Sequence, residues 1–144
     1  MEDKARGLLG LMRKAGAIEI GTDRAADAVR AGRAKLLLLS RDLSDNARRR
    51  AENVSAGRRV QLVPGPYTGE ELGDCLGVGG CAMAAVTEIG FADALMKALA
   101  ARDPERYAEA AEETARRRER TARRRRETAE RKGSKRNVKR RTEV

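Results

Sequence analysis

The chain has 144 residues, 38% of them charged, and a formal net charge of +10, a length and balance that fit one domain plus a basic appendage. It contains no histidine and only three aromatic residues, Tyr67, Phe91 and Tyr107. That removes the commonest general base and metal ligand and disfavours RNA-binding modules that stack bases on strand aromatics. No apolar run reaches 18 residues, and charges interrupt the apolar positions of the opening "MEDKARGLLGLMRKAG", so neither a transmembrane helix nor a secretory signal is expected and the protein reads as cytoplasmic.

The first helix is expected over residues 3–15, where Ala5, Leu8, Leu9, Met12 and Ala15 fall on one stripe and Gly16 supplies the stop. Arg13 and Lys14 at its end are explained by dipole compensation. "AIEI" (17–20) reads as a short strand. A second helix begins at Thr22 as N-cap, with Asp23 in the first turn, and stops at Gly32. "AKLLLLS" (34–40) is a strand buried on both faces. A third helix follows the capping residues of "DLSDN" (42–46) and ends at Gly57. It carries Arg48, Arg49 and Arg50, which spread over most of a turn and read as a solvated surface with at most one RNA contact. "RVQLV" (59–63) is the third strand. Thr68 and Glu71 form a capping-box pattern for a short helix over 69–76. "CAMAAVT" (81–87) is the fourth strand, and residues 90–101 form a helix burying Phe91, Leu95, Met96 and Leu99. Alternation of helix and strand through 100 residues implies a sheet covered on both faces.

The character changes at Asp103-Pro104, a fresh helix start. Residues 1–100 carry a net charge of +2 and residues 101–144 a net of +8. Thr114, Thr121 and Thr128 recur every seven residues, each followed by Ala, but Thr and Ala are poor coiled-coil knobs. The expectation is a solvated basic helix, with residues 133–144 disordered. Between Thr114 and Val144 there are 15 basic and 4 acidic residues. A solvated helix normally alternates signs, so runs such as Arg116-Arg117-Arg118 and Arg123 to Arg126 suit a polyanion, and docked cations bring affinity through counterion release. Cys75 and Cys81 match no zinc spacing and read as small core-filling thiols.

The segments "LLGLMRKAG", "GTDRAADAVRAGRAKLLLLSRD", "ELGDCLGVG" and "AAVTEIGFADAL", in this order, resemble the kink-turn RNA-binding ribosomal-protein superfamily that includes L7Ae, L30e and S12e. The chain is most similar to its short bacterial L7Ae-like branch, over about residues 4–100. The resemblance implies an α/β fold, a three-layer α/β/α sandwich with a central mixed sheet, and RNA docking at the start of the second helix and on the loop before the last strand. In the kink-turn readers that helix begins Gly, Ala or Thr, Asn, Glu, then after two residues Lys. Here Gly21 and Thr22 match, Asp23 stands at the Asn position, Arg24 at the Glu position and Asp27 at the Lys position. A helix N-terminus offers free amides to phosphate, and Arg24 adds a guanidinium fork. Asp23 accepts hydrogen bonds but cannot donate them, and Asp27 repels phosphate. The second loop is Leu76, Gly77, Val78, Gly79 and Gly80. No Lys-Ser/Thr helix follows it, so the signal for a phosphate loop of the nucleoside-triphosphatase kind is weak.

The expected organisation is an RNA-binding domain over residues 1–101 and an Arg-rich extension over 102–144. The expected function is non-catalytic binding of structured RNA, with ribosomal RNA as partner, by a monomer without cofactor, metal, small-molecule substrate or membrane. Gly21–Arg24 and Leu76–Gly80 dock the RNA, and Arg116, Arg117, Arg120, Arg123 and Arg124 add phosphate contacts. The alternatives are an assembly protein acting through its basic helix, and DNA binding by the extension.

Overall fold

The computed structural model describes residues 3–142, with side chains as far as Gly133. The elements run α1 (Lys4–Ala15), β1 (Ile18–Ile20), α2 (Thr22–Arg30), β2 (Leu36–Leu39), α3 (Asp45–Ser55), β3 (Gln61–Pro64), α4 (Gly69–Leu76), β4 (Met83–Val86), α5 (Ile89–Arg102) and α6 (Pro104–Thr142). The sheet order is β1-β4-β2-β3. β4 is antiparallel to both β1 and β2, and β2 is parallel to β3, which makes the sheet mixed.

Alternation along the two central strands builds the layers. Leu36 and Leu38 of β2, with Ala84 and Val86 of β4, join α1, α4 and α5 in one core. Leu37 and Leu39, with Met83 and Ala85, join α2 and α3 in the other. The four leucines are at most 7% exposed, as a strand covered on both faces requires. Ala25, Ala26, Ala28 and Val29 line the inner face of α2, and such small residues let a helix lie close to the sheet. Phe91, expected in the core, is only partly buried at its margin.

Register places the C-terminal ends of β1, β2 and β3 beside the N-terminal end of β4. The turns into α2, α3 and α4 therefore share one pole of the sandwich with the chain entering β4. The starts of β2 and β3 and the end of β4 share the opposite pole. Asp3 caps α1 and accepts hydrogen bonds from the Tyr67 hydroxyl at 2.9 Å and from Arg102 at 2.6 Å, which ties the start of α1 to the loop after β3 and to the end of α5. Burial works to raise the Asp3 carboxyl, but these donors hold it below its ordinary value.

The helix starting at Pro104 is capped by Asp103, whose carboxylate accepts from the Arg106 amide at 3.3 Å. The expectation of a wholly solvated helix is corrected here. Tyr107 is 3% exposed and Thr114 is fully buried. The Tyr107 hydroxyl donates to the Pro64 carbonyl at 2.8 Å, and the Thr114 hydroxyl lies 2.7 Å from Gln61 Oε1 and 2.8 Å from the Ala110 carbonyl. Its outer face remains exposed. α6 thus descends beside β3 from the first pole to the second. The helical backbone continues through Gly133 to Thr142, into the stretch expected to be disordered from residue 133; one glycine in a helix costs only about 1 kcal/mol relative to alanine. Of the stretch expected to be disordered, Glu143 and Val144 lie outside the described residues.

Candidate nucleic-acid interface

The β1–α2 turn is set by Gly21, at φ 101° and ψ 160°, a conformation essentially confined to glycine. Thr22 was expected as the N-cap; the structure makes Gly21 the cap and Thr22 the first helical residue. The reason is the positive φ that the chain needs to leave β1. The Gly21 amide donates to the Met83 carbonyl at 3.1 Å, and its carbonyl accepts from Ala25 at 2.9 Å. No side chain caps the helix, so the amides of Thr22, Asp23 and Arg24 are left to an outside acceptor. A Cβ built on Gly21 meets nothing within 4 Å, so this side of the turn is open to solvent.

The two acids that depart from the reader pattern are both occupied. Asp23 accepts from Arg50 of α3, and Asp27 pairs with Arg30 at 3.1 Å. Among the described residues, Arg24 is exposed and enters no ion pair. Arg50 was read in the sequence as part of a solvated surface; its pairing with Asp23 was not legible because 27 residues separate the two.

The second loop is delivered to the same pole by a close backbone return along α4. A Cβ on Gly73 would lie 2.8 Å from Gly80 Cα and 2.9 Å from the Val78 carbonyl oxygen. The Cys81 amide then bonds the Gly69 carbonyl at 3.0 Å, two residues before Met83 receives the Gly21 amide. Gly77, Gly79 and Gly80 are exposed, and Val78 is partly buried against the core. Leu76 is corrected as a contact residue: it is fully buried, because it is the last inward position of α4. Arg13, explained from sequence by the helix dipole alone, lies over Gly77 so closely that a Cβ there would collide with its guanidinium. Both thiols are free, and burial pushes each above its ordinary pKa.

The extension's arginines divide into two sets. Arg116, Arg117 and Arg120 share Glu113 at 2.8, 2.9 and 3.3 Å, and the hydrogen bonds from Arg117 and Arg116 hold the Glu113 carboxyl down at about 2. Arg123 and Arg124 are exposed and form no ion pair among the described residues. The hydroxyls of Thr114, Thr121 and Thr128 each bond the carbonyl four residues back. The seven-residue period thus marks the edge of α6 that starts against the domain.

No group of three or more potential metal ligands occurs among the described residues, and no helix is long and apolar enough to cross a membrane. No curated protein matches the chain in sequence. A solved structure of a protein with unknown function from Bacillus halodurans aligns with a TM-score of 0.60 at 24% identity, over 68% of this chain and 98% of that one. The Giardia lamblia 15.5 kD RNA-binding protein aligns with a TM-score of 0.48 at 16% identity, over 67% and 82% respectively. The first likeness shows a shared fold. The family model of the ribosomal protein L7Ae/L30e/S12e/Gadd45 family matches residues 3–96, about two thirds of the sequence, and the chain therefore belongs to that family.

Proposed function

We propose that this protein binds structured RNA without catalysis, in association with the ribosome, and that it acts as a monomer in the cytoplasm on ribosomal RNA containing a kink turn. Residues 1–101 form the reading domain, and the extension from residue 102 adds phosphate contacts through Arg116, Arg117, Arg120, Arg123 and Arg124. The observation that carries this reading is the pole at Gly21: three uncapped amides and an unpaired Arg24, with Gly21 bonded to Met83 at the start of the strand that the glycine loop enters. Amides and a guanidinium suit phosphate oxygens or a guanine edge. The exposed Gly79 and Gly80, where a Cβ would meet nothing within 4 Å, leave room for a base to approach the backbone. Family membership supports RNA as the ligand.

The test compares a kink-turn RNA with an unkinked duplex, on the full chain, across a salt series. Arg24→Ala lowers the preference for the kinked RNA on the order of tenfold, the loss of one specific contact worth roughly 1–3 kcal/mol. A preference unchanged by Arg24→Ala removes the Gly21 pole from the reading.

A further inference from the structure

The pole opposite Gly21 carries its own concentration of positive charge. Lys35 precedes β2, Arg59 precedes β3, and α6 passes both. Lys35 and Arg59, with Arg117, Arg120 and Arg124, line a cleft of about 350 Å³. Its one acid is Glu113, already engaged by three arginines. Among the described residues Lys35, Arg59 and Arg124 have no ionic partner. A second groove, of about 470 Å³, continues from Lys35 and Arg124 along α6 to Arg125 and Lys132.

The cleft is held in shape from both sides. Arg117 donates to the Arg59 carbonyl at 3.2 Å and to Glu113 at 2.9 Å. The Lys35 amide bonds the Val86 carbonyl at 2.8 Å, fixing the start of β2. Cations gathered this closely, with so little acid among them, repel one another and raise the local potential for an anion. From Arg117 to Lys132 the cations extend along roughly 22 Å of helix at 1.5 Å per residue, too long a track for one small phosphate. The exposed large apolar side chains, Leu11 and Leu62, line neither groove, so the surface lacks the apolar face that a membrane anchor needs.

We propose that this pole is a second RNA site, gripping the phosphate backbone of an RNA segment other than the one read at Gly21. The four residues of β2 lie between Lys35 at one pole and Ser40 at the other, a span of about 17 Å at the rise of a β-strand. The proposal uses the assignment of RNA as ligand, but its cations include Lys35 and Arg59 of the folded domain, and the site is independent of Arg24. One protein then holds two RNA segments at once.

The experiment uses the full chain, a kink-turn RNA and a short plain duplex carrying different fluorophores, with Arg24→Ala and the triple variant Lys35→Ala, Arg59→Ala, Arg124→Ala. Circular dichroism checks that each variant is folded. The wild type forms a ternary complex seen by energy transfer between the two RNAs. The triple variant loses that signal, binds the plain duplex on the order of tenfold or more weakly, and reduces the salt slope by up to about 3. The double variant Lys35→Ala, Arg59→Ala, which spares Arg124, keeps the preference for kinked RNA. Arg24→Ala leaves plain-duplex binding intact; if it also leaves kinked-RNA preference intact, the reading of the Gly21 pole falls while the second site stands. Plain-duplex binding and slope unchanged in the folded triple variant would overturn the second site. So would binding of phosphatidylglycerol vesicles that the triple variant loses while keeping the plain duplex.

Discussion

At the scale of single residues, three glycines separate conformational need from crowding. Gly21 has open space around it but a backbone that other residues adopt only with strain. Gly73 has the reverse problem, a helical backbone and no room for a Cβ against Gly80. Gly79 has open space and a φ outside the positive range. Gly21→Ala is expected to cost about 1–3 kcal/mol through strain, and Gly73→Ala a similar 1–3 kcal/mol through forced backbone movement. Gly79→Ala stays within about 0.5 kcal/mol, as for an uninvolved surface site. Urea unfolding of the three variants checks this, and equal midpoints would contradict it. Gly21 was legible in the sequence through the family resemblance, as the residue that opens the second helix. Gly73 was not, because its constraint comes from a loop that returns on it in space.

At the scale of elements, α6 is tied to α5 in part by one buried acid. Asp93 is 1% exposed and accepts from Lys97 at 2.9 Å and from Arg118 at 2.7 Å, both through Oδ2. Its Oδ1 is buried with no hydrogen-bond partner. Burial opposes ionisation, but the two cations outweigh it and hold the carboxyl below its ordinary value. A carboxyl depressed on folding contributes stability that is complete above its unfolded pKa and lost as pH falls through the folded one. Asp93→Asn is expected to destabilise by about 1–3 kcal/mol at pH 7, the range for hydrogen bonds to charged groups with partly exposed partners. The difference from wild type shrinks below about pH 4, the ordinary carboxyl range. Denaturant melts at pH 7 and pH 3 measure it; a constant gap at both would show that the charge of Asp93 is not what docks the helix. The alternation of helices and strands was readable because its signals are local: apolar periodicity, the Thr68–Glu71 capping box, Gly at helix stops. Docking of α6 was not, since Tyr107 and Thr114 look like ordinary positions of a charged helix until Pro64 and Gln61 are placed beside them.

At the scale of the molecule, charge is arranged by pole. The Gly21 pole offers amides and the exposed Arg24, unpaired among the described residues, with Asp23 and Asp27 neutralised by Arg50 and Arg30. The far pole offers a track of cations. The sequence exposed the excess of arginine in the extension, because composition alone shows it. It did not expose the part played by Lys35 and Arg59, each a single cation next to a strand, because only the path of α6 brings them into the same cleft.

Because Tyr107, Thr114 and Arg118 fix the rotation of α6, the arginines beyond them stand in phase with the domain, as teeth on a shaft keyed at one end. One residue inserted after Arg118 turns every later arginine by about 100°, at 3.6 residues per turn, and moves Arg120 and Arg124 away from Lys35 and Arg59. Seven inserted residues turn them by only about 20° while displacing them along the axis. The one-residue insertion is therefore expected to reduce the salt slope for plain duplex without changing net charge when the added residue is alanine, and the seven-residue insertion to restore part of it. Equal slopes for both would mean that the arginines act as loose charge, with no fixed angular register to the domain.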